Sequence, residues 1–346
     1  MRMPSTAAAG ALAAGGAGVA AGALAERRWV RRGVRPSDPG PALPTLSGTR
    51  EESVTCDDGV RLAVREIGPA DAALTLVLAH GYTVTSECWA AQVRDLSREE
   101  RPGGLRIVLY DQRGHGASQA GDPADNTIEQ LGADLAAVLS QRVPQGPVVL
   151  VGHSMGGMTI MALAQQHPEL FGDTIVAVGL IGTSSGGMAQ VTLGLPAALA
   201  VIPGKMIPLA PKAAPLNRRA ERFRAVDSDF VRLMNRFVAF RPDASGAELA
   251  AMSQMQAPMS LETMASFLPT FAVHDRTGML GPLKAIPTLI LVGERDALTP
   301  VSHSRIIADA LPEATFVEVP GAGHMVMMEA PDAVTAELRK LIDRVP

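Results

Sequence analysis

The sequence predicts an α/β fold: a mostly parallel eight-stranded sheet with helices on both faces and one inserted helical cap. Three observations carry this reading. Short apolar runs rich in β-branched residues end in glycine-containing loops, as buried parallel strands do. Those runs alternate with segments of helical period, which calls for crossover helices. The alternation breaks once, between residues 185 and 282, where no strand pattern is found.

In chain order, residues 53–56 and 60–67 read as an antiparallel hairpin turned by Asp57-Asp58-Gly59. Residues 74–79 are a buried strand running into His80-Gly81-Tyr82-Thr83, and a helix is expected over 87–96. Strand 106–110 ends in Asp111-Gln112-Arg113-Gly114-His115-Gly116-Ala117-Ser118. Thr127 caps a helix to about 141, in which Ile128, Leu131, Leu135, Val138 and Leu139 recur at helical spacing. Val148-Val149-Leu150-Val151 then runs into Gly152-His153-Ser154-Met155-Gly156-Gly157, with a helix from Met155 to about Gln166. Strands follow at 174–181, 288–292 and 316–319, with helices at 303–311 and 331–344.

The break holds eight of the sixteen methionines, and four prolines between 203 and 215 fragment its start. Residues 187–260 are therefore read as the cap, and 261–273 as a helix of the main domain. The core is assigned to 51–186 and 261–346. Flexible methionines suit a pocket for varied apolar groups, although most of them are expected simply to pack cap onto core.

Composition narrows the function classes. A chain of 346 residues, 47% hydrophobic, holds one large domain or one domain with an insertion. A net charge of -4 carries no nucleic-acid footprint. Cys56 and Cys88 form neither metal-ligand spacing nor a disulfide framework and are expected as free thiols. Residues 1–50 stand apart. Positions 7–25 are nearly all Ala and Gly, and Arg27, Arg28, Arg31, Arg32 and Arg35 follow. Three readings stay open: a weak membrane anchor, a secretion signal cleaved after Ala23-Leu24-Ala25, and a disordered tail. The arginines favour keeping residues 27 onward in the cytoplasm, so cytoplasmic or membrane-associated placement is expected, with secretion the alternative. Residues 33–50 read as a linker.

Gly-x-Ser-x-Gly between a buried strand and a helix is a nucleophile elbow. Ser154 would stand exposed at the strand end, before the positive end of a helix. A serine hydroxyl needs a base, and that base needs a carboxylate to orient it. Elbow folds place these in the order Ser, Asp or Glu, His. Asp296, in Gly293-Glu294-Arg295-Asp296, and His324, in Gly321-Ala322-Gly323-His324, both lie in loops after strands. Glu294 is the rival to Asp296. Among the other histidines, His153 should point away from the nucleophile, His115 should serve a turn, and His274 should lie at the opposite end of the sheet. Oxyanion donors are expected from the N–H of Met155 and of Tyr82, with Gly81 allowing close approach. The Tyr82 ring reads as a pocket wall. His80, Gly81 and His153 are further candidates for the substrate pocket.

On these five motifs, residues 52–346 resemble the α/β-hydrolase superfamily in its cap-bearing branch of serine esterases and lipases. The resemblance implies a carboxylesterase-like hydrolase acting on small apolar esters, with the triad Ser154, Asp296 and His324 and with neither metal nor organic cofactor. Branches with an aspartate nucleophile, the epoxide hydrolases and haloalkane dehalogenases, are excluded by Ser154. Haloperoxidase-like members usually differ at the positions held here by His153 and Tyr82-Thr83. Acyl transfer or perhydrolysis on the same triad is the alternative reaction. A ligand-binding scaffold without catalysis is the alternative class.

Overall fold

The computed structural model describes residues 40–143, 146–188, 235–236 and 238–345. Segment 7–25, the arginine cluster and residues 189–234 of the expected cap lie outside the described residues. The strands are β1 (Arg50–Thr55), β2 (Arg61–Ile67), β3 (Leu74–Ala79), β4 (Leu105–Tyr110), β5 (Val148–His153), β6 (Ile175–Ile181), β7 (Thr288–Gly293) and β8 (Thr315–Val319). They form one eight-stranded sheet in the order β1-β2-β4-β3-β5-β6-β7-β8. The pairs β1/β2 and β2/β4 are antiparallel, and the others are parallel. This is the expected α/β architecture. Both cysteines are buried free thiols.

The order 4-3-5 places a switch point between β3 and β5, where consecutive crossovers leave in opposite directions. Ligands of open parallel sheets bind outside the strand ends at such a point. The loops after β3 and β5 are those of His80-Gly81-Tyr82 and Ser154.

Alternation along each central strand sends side chains to two cores. Leu74, Leu76 and Leu78 of β3 face one layer, built from helices α1 (Ala90–Leu96) and α8 (Pro331–Ile342). Val77 and Ala79 face the other, built from α2 (Ile128–Arg142), α3 (Met155–Gln166) and α6 (Val301–Ala310). Thr127 caps α2 by accepting from the Gln130 N–H. A short 3-10 turn, Ser86–Trp89, precedes α1, so the expected helix 87–96 splits in two. A short helix, α7 (Val326–Glu329), lies directly after His324; it carries no periodic signal long enough to predict.

From the inserted region, α4 (Gly246–Gln256) opens with a reciprocal capping box between Ser245 and Glu248. Helix α5 (Leu261–Val273) buries Phe267 against Ile128, Leu131, Met155 and Met158, laying it across the starts of α2 and α3. Between α1 and α4 lies a cavity of about 510 Å³ edged by Leu43, Met255 and Met327; none of Ser154, Asp296 or His324 lines it.

The close fit of α3 behind β3 and β5 sets the elbow. A Cβ on Gly156 would lie 2.3 Å from the Ala79 carbonyl oxygen. Gly156→Ala is therefore expected to destabilise the chain by about 3 kcal/mol, the upper end of overpacking costs. Urea unfolding measures it, and a loss under about 1 kcal/mol would mean the backbone there gives way.

Candidate active site

Ser154 sits between β5 and α3 at φ 53°, ψ -117°. This strained conformation is one of two positive-φ values among described non-glycine residues, the other being Thr83. Such strain costs about 1–3 kcal/mol and persists only where the surroundings impose it. Here the Ser154 N–H is tied to the Ile181 carbonyl at 2.9 Å, and its own carbonyl accepts the Thr183 hydroxyl at 2.7 Å. Met155 opens α3, so its N–H has no acceptor within the helix.

His324 follows β8 and is buried. Its Nδ1 lies 2.8 Å from Asp296 Oδ2. That carboxylate is held on all sides: Oδ1 accepts the N–H groups of Leu298 and Thr299 at 2.9 and 2.8 Å, and Oδ2 accepts the Thr299 hydroxyl at 2.9 Å. Glu294 instead turns outward and accepts the Gly321 N–H at 2.7 Å. The geometry thus pairs Asp296, not Glu294, with His324. Among the described residues His324 Nε2 has no hydrogen-bond partner, which leaves it available to a hydroxyl.

The backbone around His324 is braced from the inserted region. The Met325 N–H donates to the Ala239 carbonyl at 3.0 Å. The Gly323 N–H donates to Glu329 Oε2 at 3.1 Å, and the same oxygen accepts the Arg241 N–H at 2.8 Å. The Arg241 guanidinium then reaches Glu248 on α4 at 2.9 Å. Burial raises the Glu329 carboxyl above its ordinary range, against the pull of the Arg241 and Gly323 N–H groups. Sequence reading missed Glu329, because one acid in a short apolar helix carries no local signal.

On the other side, Gly81 abuts the elbow: a Cβ there would lie 3.1 Å from the Ser154 Cβ. The Tyr82 hydroxyl donates to the Met264 carbonyl at 2.6 Å, and its ring meets Phe271 edge-on at 5.2 Å. The ring is thus an anchored wall beside the loop. His115 is more than a turn residue. Its Nε2 accepts the Thr83 N–H at 3.1 Å, and its Nδ1–H donates to the Arg113 carbonyl at 2.9 Å.

Three expectations are corrected. His80 does not line a pocket; it is fully buried, and both ring nitrogens are engaged by backbone. His153 is also buried: it donates from Nε2 to the His324 carbonyl at 3.0 Å, and the two rings lie 4.7 Å apart. It packs under His324 rather than facing a ligand, because the strained serine turns its predecessor inward. His274 is not at the opposite sheet end. Its Nε2 donates to the carbonyl of Ser184, just after β6, because the turns over 277–285 carry the chain back down before β7.

Burial sets the charge of these rings. Desolvation, with help from His80, pushes His115 down to about 3. Burial pushes His274 down to about 4 and lowers His80 and His153 as well. All four stay neutral when folded near neutral pH. Unfolding releases them to about 6.5, so below that pH the unfolded chain binds more protons. Stability is therefore full above about pH 6.5 and falls toward pH 4, by up to ~1.4 kcal/mol per unit for each such histidine. Urea unfolding at pH 7, 5.5 and 4.5 reads this directly; a free energy that held or rose on acidification would contradict it.

Residues 75–331 match the model of the family described as the alpha/beta hydrolase fold. The chain belongs to the α/β-hydrolase family. Among α/β-hydrolase relatives, a bifunctional esterase/perhydrolase of Acinetobacter calcoaceticus is 27% identical, covering 84% of this chain and 98% of its own. The sn-1-specific diacylglycerol lipase ABHD11 of Mus musculus is 29% identical over 68% of this chain and 72% of its own. The solved structure of a thermophilic esterase from Thermogutta terrifontis superposes with a TM-score of 0.64 at 25% identity, covering 86% of this chain and 99% of that one. These relatives are named as an esterase/perhydrolase, a lipase and an esterase.

Proposed function

We propose that this α/β-hydrolase is a serine hydrolase of carboxylic esters bearing an apolar group. One observation carries the reading: a strained Ser154 at the sheet's switch point, with His324 bound to a fully hydrogen-bonded Asp296 at 2.8 Å nearby. In the reaction Ser154 Oγ attacks the ester carbonyl while His324 Nε2 takes its proton. The carbonyl becomes an oxyanion held by the N–H groups of Tyr82 and Met155. The intermediate collapses, and His324 returns the proton to the departing alcohol. Water, deprotonated by the same imidazole, then releases the acid from Ser154. Asp296 orients His324 and stabilises its charged form. Each oxyanion donor is worth ~3–4 kcal/mol of barrier. The aromatic wall of Tyr82 and Phe271 supports an apolar substrate group. The name of the Acinetobacter relative supports one variation, in which hydrogen peroxide replaces water in the second step.

The test is turnover of p-nitrophenyl esters of graded chain length by the full chain, with covalent labelling by a fluorophosphonate. Serine-dependent turnover with a chain-length optimum is the expected result. Labelling of Ser154 without turnover would reject this substrate class, and neither would favour a scaffold that binds without catalysis. Added peroxide that diverts the acyl group to peracid would establish the variation.

A further inference from the structure

The two proposed oxyanion donors sit on different elements. Met155 N–H belongs to α3, and Tyr82 N–H belongs to the loop after β3. Their spacing has to be held to within about 0.5 Å for the site to work. Gln112, after β4, is a fully buried side chain that bonds toward both. Its Nε2 donates to the His80 carbonyl at 2.6 Å. Its Oε1 faces the Thr159 hydroxyl at 2.9 Å, and that hydroxyl also faces the Met155 carbonyl at 2.9 Å. The amide cannot be flipped, since that would set oxygen against the His80 carbonyl oxygen.

The backbone of Gln112 adds a second constraint. Its N–H donates to His80 Nε2 at 2.8 Å, so that nitrogen carries no proton in the neutral ring. The proton is then on Nδ1, which donates to the Gly81 carbonyl at 2.7 Å. In a trans peptide the carbonyl and the following N–H point in opposite directions. Holding the Gly81 carbonyl toward His80 therefore turns the Tyr82 N–H the other way.

We propose that Gln112 is a positioning residue for the oxyanion hole. Its side chain ties α3 to the loop after β3, and its N–H selects the His80 tautomer that aims the Tyr82 amide. The inference rests on the donor assignment in the proposed function.

The test uses the full chain with Gln112→Met, which keeps the volume and the backbone N–H but loses the side-chain tie, and Thr159→Val, which cuts the same tie at its far end. Gln112→Met is expected to lower kcat about 30-fold, part of the 10²–10³ lost with a whole donor, and to change KM less than about threefold. Affinity for an alkyl trifluoromethyl ketone, whose adduct carries the oxyanion, should fall by the same factor as kcat. Affinity for the plain methyl ketone should hold. Thr159→Val should cost about fivefold in kcat, and the double variant no more than Gln112→Met alone, because both remove one tie. Wild-type kcat in either folded variant, equal losses for both ketones, or losses that multiply in the double variant would overturn the proposal. Should Gln112→Met not fold, Thr159→Val decides by the same ketone comparison. A wild-type chain that hydrolyses no ester and binds no trifluoromethyl ketone would instead remove the functional reading, and this inference with it.

Discussion

Ser154→Ala is expected to lower kcat on p-nitrophenyl esters by on the order of 10⁵ or more, to the residual rate that binding and oxyanion donors sustain alone. The fold should be untouched, since the serine side chain makes no hydrogen bond among the described residues that the fold depends on. Ser154→Gly adds a second readout. At φ 53°, ψ -117°, glycine relieves strain that alanine keeps. The glycine variant should be equally inactive and more stable than the alanine variant by about 1 kcal/mol. Two inactive variants of ordered stability would tie the strain to the nucleophile's presentation. Retention of activity in either would exclude Ser154 as nucleophile.

The second large effect is expected from Asp296→Asn, which should lower kcat about 10⁴-fold. The surroundings dictate how the amide must lie. The position of Oδ1 faces two backbone N–H groups, from Leu298 and Thr299, so the amide oxygen has to occupy it. The NH₂ group is left at the Oδ2 position, facing His324 Nδ1. That nitrogen must then accept, the ring proton moves to Nε2, and the base is lost. Glu294→Gln is the matched control and should leave kcat within about threefold, because among the described residues Glu294 accepts only the Gly321 N–H. A comparable loss in both variants would mean that the loop, not the tautomer, was damaged.

The elbow was legible because a turn this tight forbids side chains at defined spacings. Gly152, Gly156 and Gly157 all stand where a Cβ would strike backbone or Thr183, and that constraint is written locally. The strands were legible for a similar reason, as burial on both faces leaves continuous apolar runs. Asp296 and Glu294 were not separable by the same means. Both are acids in one loop after one strand, and only the path of that loop decides which meets His324. Gln112 lies within a motif, yet its residue type alone points to no role. Its side-chain partners are the His80 carbonyl and a threonine far away in sequence, and such bonds leave no pattern of residue types. His80 and His153 misled because polar rings beside a nucleophile look like ligand contacts. Both rings are buried instead, with both nitrogens of His80 and Nε2 of His153 engaged by main-chain groups.

The contacts of Ala239 and Arg241 with the segment around His324 bear on how this enzyme class diversifies. Residues 239–241 lie within the inserted stretch by sequence, yet they supply the main-chain carbonyl and amide that seat the flanks of the histidine. For a cap at 187–260, as the sequence pattern reads, the part fixed to the core therefore begins by Ala239. Under the proposed function, chimeras joined there should exchange substrate preference while inheriting an intact proton-transfer apparatus. Those joined a few residues later would import a foreign support for the imidazole along with the exchanged segment.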